Sequence, residues 1–175
     1  MFNTIAALGI VGLQVGIIVV LIGWSTRARF VSLVAQHAGI LIASVFTAAA
    51  FMSFIYQYGF GYEPCLLCWY QRIAIFPIAI LAWTANLRTS KLLQSQLLTL
   101  SVVGLLVAIL HVYIDIFPTG LDICGATGPS CLMRYVYEFG YITIPMMSFT
   151  VLATGVLLVL LAKYYPQEGV VVSKE

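Results

Sequence analysis

Ile5-Ala-Ala-Leu-Gly-Ile-Val-Gly-Leu-Gln-Val-Gly-Ile-Ile-Val-Val-Leu-Ile-Gly-Trp24 is a run, apolar but for Gln14, of the length that crosses a bilayer as a helix, roughly 20 residues. Within it, Ile17 to Ile22 is apolar on every face, which excludes the in–out alternation of a barrel strand. Four more such runs follow, from about 38 to 58, 66 to 87, 97 to 117 and 142 to 164. The whole chain agrees with this reading. Of its 175 residues, 62% are apolar and only 8% charged, too few to cover the surface of a soluble domain. The expected fold is all-α and integral to the membrane, in one membrane domain over residues 1–175. The net charge of +2, with no basic patch, argues against a nucleic-acid partner. Membrane lipid is the expected surrounding.

The basic residues set the expected orientation. Arg27 and Arg29 follow the first run, Arg88 and Lys91 separate the third and fourth, and Lys163 and Lys174 follow the fifth. Five crossings put these three places on one side, which is then cytoplasmic. The other side carries Glu63, Asp115, Asp122 and Glu138 against one loop base, Arg134. The N-terminus is expected outside and the C-terminus inside, in a multi-pass cytoplasmic-membrane protein. No basic residue precedes the first run, so a cleaved leader is not expected. Gly12 and Gly16 make a GxxxG step that can seat another helix. Tyr56, Tyr58, Phe60 and Tyr62, with Tyr135, Tyr137, Phe139 and Tyr141, read as a belt at the outer interface.

All four cysteines fall on that outer side, in loops 59–65 and 118–141 or at their edge. An oxidising outer face lets disulfides persist. Cys65 and Cys68 stand in Glu63-Pro-Cys-Leu-Leu-Cys-Trp-Tyr-Gln-Arg72. The apolar run after Arg72 is too short to span, so the third helix must begin near Leu66, with Pro64 suited to its first turn. Free amides and the helix dipole then favour a thiolate on a cysteine there. Arg72 lies one turn below Cys68 on the same face. A charge at that depth costs at least ~2.5–3.5 kcal/mol unless paired or hydrated. Snorkelling to lipid phosphate is one reading; a donor to an anionic or carbonyl ligand beside Cys68 is the better one. Cys124 and Cys131 bracket Gly-Ala-Thr-Gly-Pro-Ser, an adaptable loop. A disulfide across so short a loop restrains little chain. It is better placed for attack by an incoming thiolate than for a staple. Four cysteines can also hold zinc. One pair here is on a membrane helix and the other is spaced too widely for a zinc knuckle, so no metal site is expected. His111, with Asp115 four residues on and on the same face, makes an ionisable pair within about one turn of the outer end of the fourth run. It reads either as a functional group or as a mutually satisfied His–Asp pair.

Cys65-Leu-Leu-Cys-Trp-Tyr-Gln-Arg72 with a helix behind it, His111 in the next span and a second outer cysteine pair resemble the DsbB family of membrane disulfide-bond oxidoreductases. Gly140-Tyr-Ile-Thr-Ile-Pro145 looks like the same region of its compact, BdbC-like Gram-positive members. The similarity covers roughly residues 38 to 162. It implies a four-helix transmembrane bundle, to which the first span is an additional N-terminal helix. It further implies that Cys65 and Cys68 pass electrons to a quinone, ubiquinone or menaquinone, beside Arg72 and His111. Cys124 and Cys131 would exchange with a DsbA-like thioredoxin-fold oxidase. In that scheme the partner attacks Cys124, freed Cys131 attacks Cys65, and Cys68 leaves as a thiolate. The second pair is closer together here than in the enterobacterial members. The rival readings are a quinone reductase of the vitamin K epoxide reductase type and a non-enzymatic scaffold with structural disulfides. The first places its CxxC near the last spans, and the second has no use for a CxxC on a helix start followed by arginine.

Overall fold

The computed structural model describes residues 1–84, 87, 90–117 and 129–164. Among these residues the chain is helical, with no strand beyond one isolated bridge between Glu138 and Ile142. Five helices are long and apolar enough to cross a membrane.

The first, α1 (Phe2–Ser25), ends where the Thr26 hydroxyl bonds back to the carbonyl of Ile22 at 3.1 Å. Arg27, at φ 53°, turns the chain. A short helix that the sequence reading passes over, α2 (Arg29–Gln36), comes next. It buries Val31 and Ala35, one turn apart, and so lies against the bundle as an amphipathic foot. The next span, α3 (Ala38–Phe54), runs on into a π-helical turn, Ile55–Gly59. Gly61, at φ 69°, bends the chain toward the first cysteine.

The helix α4 (Leu66–Thr84) carries Pro77 in its interior. It starts later than Pro64 suggests: Cys65 stands just before it and accepts the Trp69 amide at 3.1 Å on its carbonyl. Cys65 therefore occupies the capping position and Cys68 the first turn. The fourth span, α5 (Lys91–Ile116), begins six residues before the expected boundary at 97. The Ser90 hydroxyl caps it by accepting the Leu93 amide at 3.2 Å, so a polar first turn can still be helical. The last helix, α6 (Ile144–Tyr164), is the most buried and packs against all the others.

Two glycines set how close the helices come. A Cβ on Gly104 of α5 would lie 2.7 Å from Ala74 Cβ and 2.8 Å from Leu152 Cδ2. One on Gly155 of α6 would lie 2.7 Å from Phe46 Cζ and 2.8 Å from Ser101 Oγ. Small residues at such crossings allow the backbone contact that drives association in lipid. Gly12 and Gly16 differ: a Cβ on either meets nothing within 4 Å, so among the described residues the GxxxG step seats no other helix. Phe46, Ile42, Ile78, Leu97, Leu152 and Leu161 fill the centre, while Ile80, Leu106 and Ile18 project outward. Apolar residues on both the inside and the outside of the bundle are what a lipid solvent requires.

Candidate active site

The cysteine-bearing end of α4 meets the last turns of α5 beneath the segment that leads into α6. Cys65 and Cys68 are thiols whose sulfurs share a hydrogen bond at 3.2 Å. His111 of α5, 2% exposed, turns Nε2 toward Cys65 Sγ at 3.8 Å. Its Nδ1 lies 3.2 Å from Nε2 of the buried Gln71 amide. With that amide donating to Nδ1, the imidazole proton is on Nε2 and points at the sulfur. The hydrogen bond from Cys68, and then His111, hold the Cys65 thiol well below its ordinary range against the opposing effect of burial.

Cys131 is disulfide-bonded and buried. Its sulfur, Cys65 Sγ and a His111 ring nitrogen all lie within 4.8 Å of one another. A sulfur held in a disulfide is not a thiolate ligand, so this trio does not offer a metal three donors. Cys124 lies outside the described residues, as do Asp122, Arg88 and Lys174.

Arg72 faces inward and is 8% exposed, where the sequence left lipid snorkelling open. Its guanidinium donates to Gln57 Oε1 and, at 3.2 Å, to the Ser53 carbonyl, both neutral acceptors of α3 and its π-turn. It also lies 5.0 Å over the Trp69 ring. The cation is thus held in place with its charge uncancelled by these partners.

Asp115 does not pair with His111. Its Oδ1 accepts Arg134 Nε at 2.6 Å and its Oδ2 accepts the Thr143 hydroxyl at 3.0 Å. Arg134 also donates to the Asp115 backbone carbonyl. The Asp115 carboxylate, through that hydrogen bond and its charge, raises the Arg134 guanidinium further above its ordinary pKa. The i, i+4 offset does put His111 and Asp115 on one face. Each then finds a partner outside its own helix, and a loop guanidinium outcompetes an imidazole for the carboxylate.

The aromatic residues also do more than mark an interface. Tyr62 stacks on Tyr56 at 5.8 Å and on Tyr135 at 4.6 Å, joining the loop before α4 to the loop before α6. Tyr58, Tyr137, Phe139 and Tyr141 remain exposed, as a belt requires.

Below the sulfurs is a cavity of about 350 Å³. Cys65, Cys68, Arg72 and His111 line its polar side, and Ala49, Met52 and Val151 are among its apolar walls. Sequence reasoning missed Gln71, Gln57 and the Asp115–Arg134–Thr143 cluster. An amide inside an apolar span was the available signal for the first, since lipid penalises a polar group that has no partner.

The family model described as disulfide bond formation protein DsbB matches residues 35–164. A probable disulfide formation protein of Chlamydia caviae is 37% identical over 121 residues, 69% of this chain and 85% of its own length. One from Chlamydia pneumoniae is 35% identical over 67% of this chain and 85% of its own. The probable disulfide formation protein C 2 of Bacillus anthracis is 31% identical over 71% of this chain and 86% of its own. No solved structure matches the chain.

Proposed function

We propose, for a chain that belongs to the DsbB family of membrane disulfide-bond oxidoreductases, that it reoxidises a DsbA-like thioredoxin-fold thiol oxidase and delivers the two electrons to a quinone. The observation that carries this reading is one juxtaposition. A disulfide-bonded Cys131 and the thiol pair Cys65–Cys68 meet at the mouth of an apolar cavity that holds a buried arginine. The cysteine-bearing end then faces the oxidising outer side. Arg27, Arg29, Lys91 and Lys163, at the other end of the spans, support this sidedness. It puts the N-terminus outside and the C-terminus in the cytoplasm.

The residues present fit a quinone, ubiquinone or menaquinone. Its apolar ring and tail suit the walls, and a carbonyl oxygen suits the guanidinium that Gln57 and Ser53 leave uncancelled. When bound, a quinone accepts two electrons and two protons. Arg72 and His111 would hold it on the Cys68 side.

The chain's own part is a relay of disulfides. A partner thiolate attacks Cys124, forming a mixed disulfide and releasing Cys131 as thiolate. Cys131 attacks Cys65 of an oxidised Cys65–Cys68 pair, and Cys68 leaves. The partner's second thiolate displaces Cys124, which takes back Cys131 and frees Cys65. The partner is now oxidised, Cys124–Cys131 is restored, and Cys65–Cys68 holds the two electrons as a dithiol. Free thiols at Cys65 and Cys68 beside a disulfide-bonded Cys131 are consistent with such a relay.

The test adds decylubiquinone or menadione to protein reduced at Cys65 and Cys68, and counts thiols. Loss of two thiols per chain is expected. No loss with either compound would leave the chain without a quinone acceptor. The order of exchange has its own check. Cys131→Ser should accumulate a reductant-sensitive adduct between Cys124 and the partner on non-reducing electrophoresis. An adduct with Cys124→Ser and none with Cys131→Ser would reverse the order within the pair.

A further inference from the structure

We infer that α1, which lies before the matched residues 35–164, forms one wall of the acceptor cavity and, with the Tyr56 hydroxyl, helps to select the cyclic dione that it takes. The inference rests on reading that cavity as the quinone site.

Ile5, Ala6, Gly9, Ile10 and Leu13 of α1 all line the cavity. Their spacing of one, three, one and three residues is a single helix face. The opposite face, with Leu8, Val15, Ile18 and Ile22, is exposed, so α1 stands between the cavity and the lipid. A Cβ on Gly9 meets nothing within 4 Å, whereas one on Gly104 or Gly155 would collide at 2.7 Å. Gly9 therefore is not there to bring helices together; it leaves room in the cavity.

The wall is fixed in place. Gln14 donates to the Thr150 hydroxyl of α6 at 3.1 Å, and its carbonyl oxygen accepts Tyr141 Oη at 2.8 Å. At the outer end the Phe2 ring packs edge-on to Tyr56 at 5.8 Å and against Phe60 at 5.1 Å. In lipid, polar bonds of the Gln14 kind hold helices together.

Tyr56 supplies the independent sign of a ligand. It lines the same cavity and is 6% exposed, and its buried hydroxyl has no hydrogen-bond partner among the described residues. A buried polar group left unsatisfied is costly and rare, and calls for a partner from outside the fold. A dione presents two carbonyl acceptors. The guanidinium of Arg72 suits one and the phenol of Tyr56 the other.

Binding is read on the full chain in detergent by quenching of tryptophan fluorescence with decylubiquinone and with menadione. The Trp69 ring, stacked with Arg72, reports on the site. Gly9→Phe should weaken the Kd by about tenfold or more, a change of about 1.4 kcal/mol. Gly16→Phe, equally open but away from the cavity, should leave it unchanged. Tyr56→Phe, which removes one oxygen and no packing volume, should weaken at least one of the two compounds several-fold. Gly9→Leu repeats the first test with a smaller side chain, and a thermal-unfolding midpoint equal to wild type certifies the fold of each variant. If Arg72→Ala weakens binding while the Gly9 and Tyr56 variants match wild type, the role given to α1 and Tyr56 is wrong and the quinone reading stands. If wild type binds neither compound, the quinone reading itself fails.

Discussion

Cys65 is where three side chains from two helices act on one atom. The Cys68 thiol and the imidazole of His111 both reach its sulfur, and Gln71 sets the proton of that imidazole on the nitrogen that faces it. Helix position alone would have favoured charge on Cys68. The hydrogen bonds converge instead on Cys65, whose sulfur lies within 4.8 Å of that of Cys131. Only the thiolate is alkylated, and a lowered pKa extends the thiolate to lower pH. Iodoacetamide labelling of Cys65, followed by peptide mass spectrometry on protein reduced at Cys65 and Cys68, should therefore stay fast below pH 7. It should slow only as pH falls through the lowered pKa. His111→Ala should move that midpoint upward, and Gln71→Leu should move it in the same direction by less. A wild-type midpoint at the ordinary thiol value, ~8.5, would deny the trio any hold on Cys65.

At the scale of elements, the question is how a loop cysteine is kept beside a helix cysteine. Arg134, three residues beyond Cys131, clasps Asp115 at the end of α5, and Thr143, at the threshold of α6, closes on the other carboxylate oxygen. The end of α5, Arg134 and the threshold of α6 are thus tied to one buried acceptor. A charged hydrogen bond of this kind contributes ~1.5–3 kcal/mol. Asp115→Asn keeps the shape and removes the charge. It should slow exchange between Cys131 and Cys65 by roughly 10- to 150-fold if the loop must re-form its pose for each event. Decylubiquinone affinity should change less than the exchange rate, because Asp115 reaches the cavity wall but Arg72 is held separately by Gln57 and Ser53. Rapid-quench trapping of the disulfide between the two cysteines measures the first, and fluorescence quenching the second. Equal exchange rates in both proteins would reduce the clasp to a structural tie.

For the whole molecule, the proposed orientation rests on the ends of the helices. The cysteines, the tyrosine stack and the Arg134 clasp gather at one end, and Arg27, Arg29, Lys91 and Lys163 stand at the other. In intact cells a membrane-impermeant maleimide should label the reduced cysteines from outside, and a tag on the C-terminus should be reached only after the membrane is opened. A tag open to the outside would invert the topology and place the relay in a reducing compartment.

The chain by itself determined the membrane class, the five long helices and the four cysteines with Arg72 as the residues to watch. Each of these is a local property: a run long enough to span, a pair three residues apart, a charge where lipid penalises it. The boundaries were legible to within a few residues, except at α5, where a serine cap carries the helix into polar sequence. The tertiary structure decided which polar groups meet. His111 went to Cys65 and Gln71, Asp115 to Arg134 and Thr143, and Arg72 to Gln57 and Ser53. It also brought α1 to the cavity and α2 to the foot of the bundle. These are contacts between residues tens of positions apart. Helix periodicity gives each side chain a face, but the partner it meets there depends on how the helices cross, and two glycines far from the cysteines set that crossing.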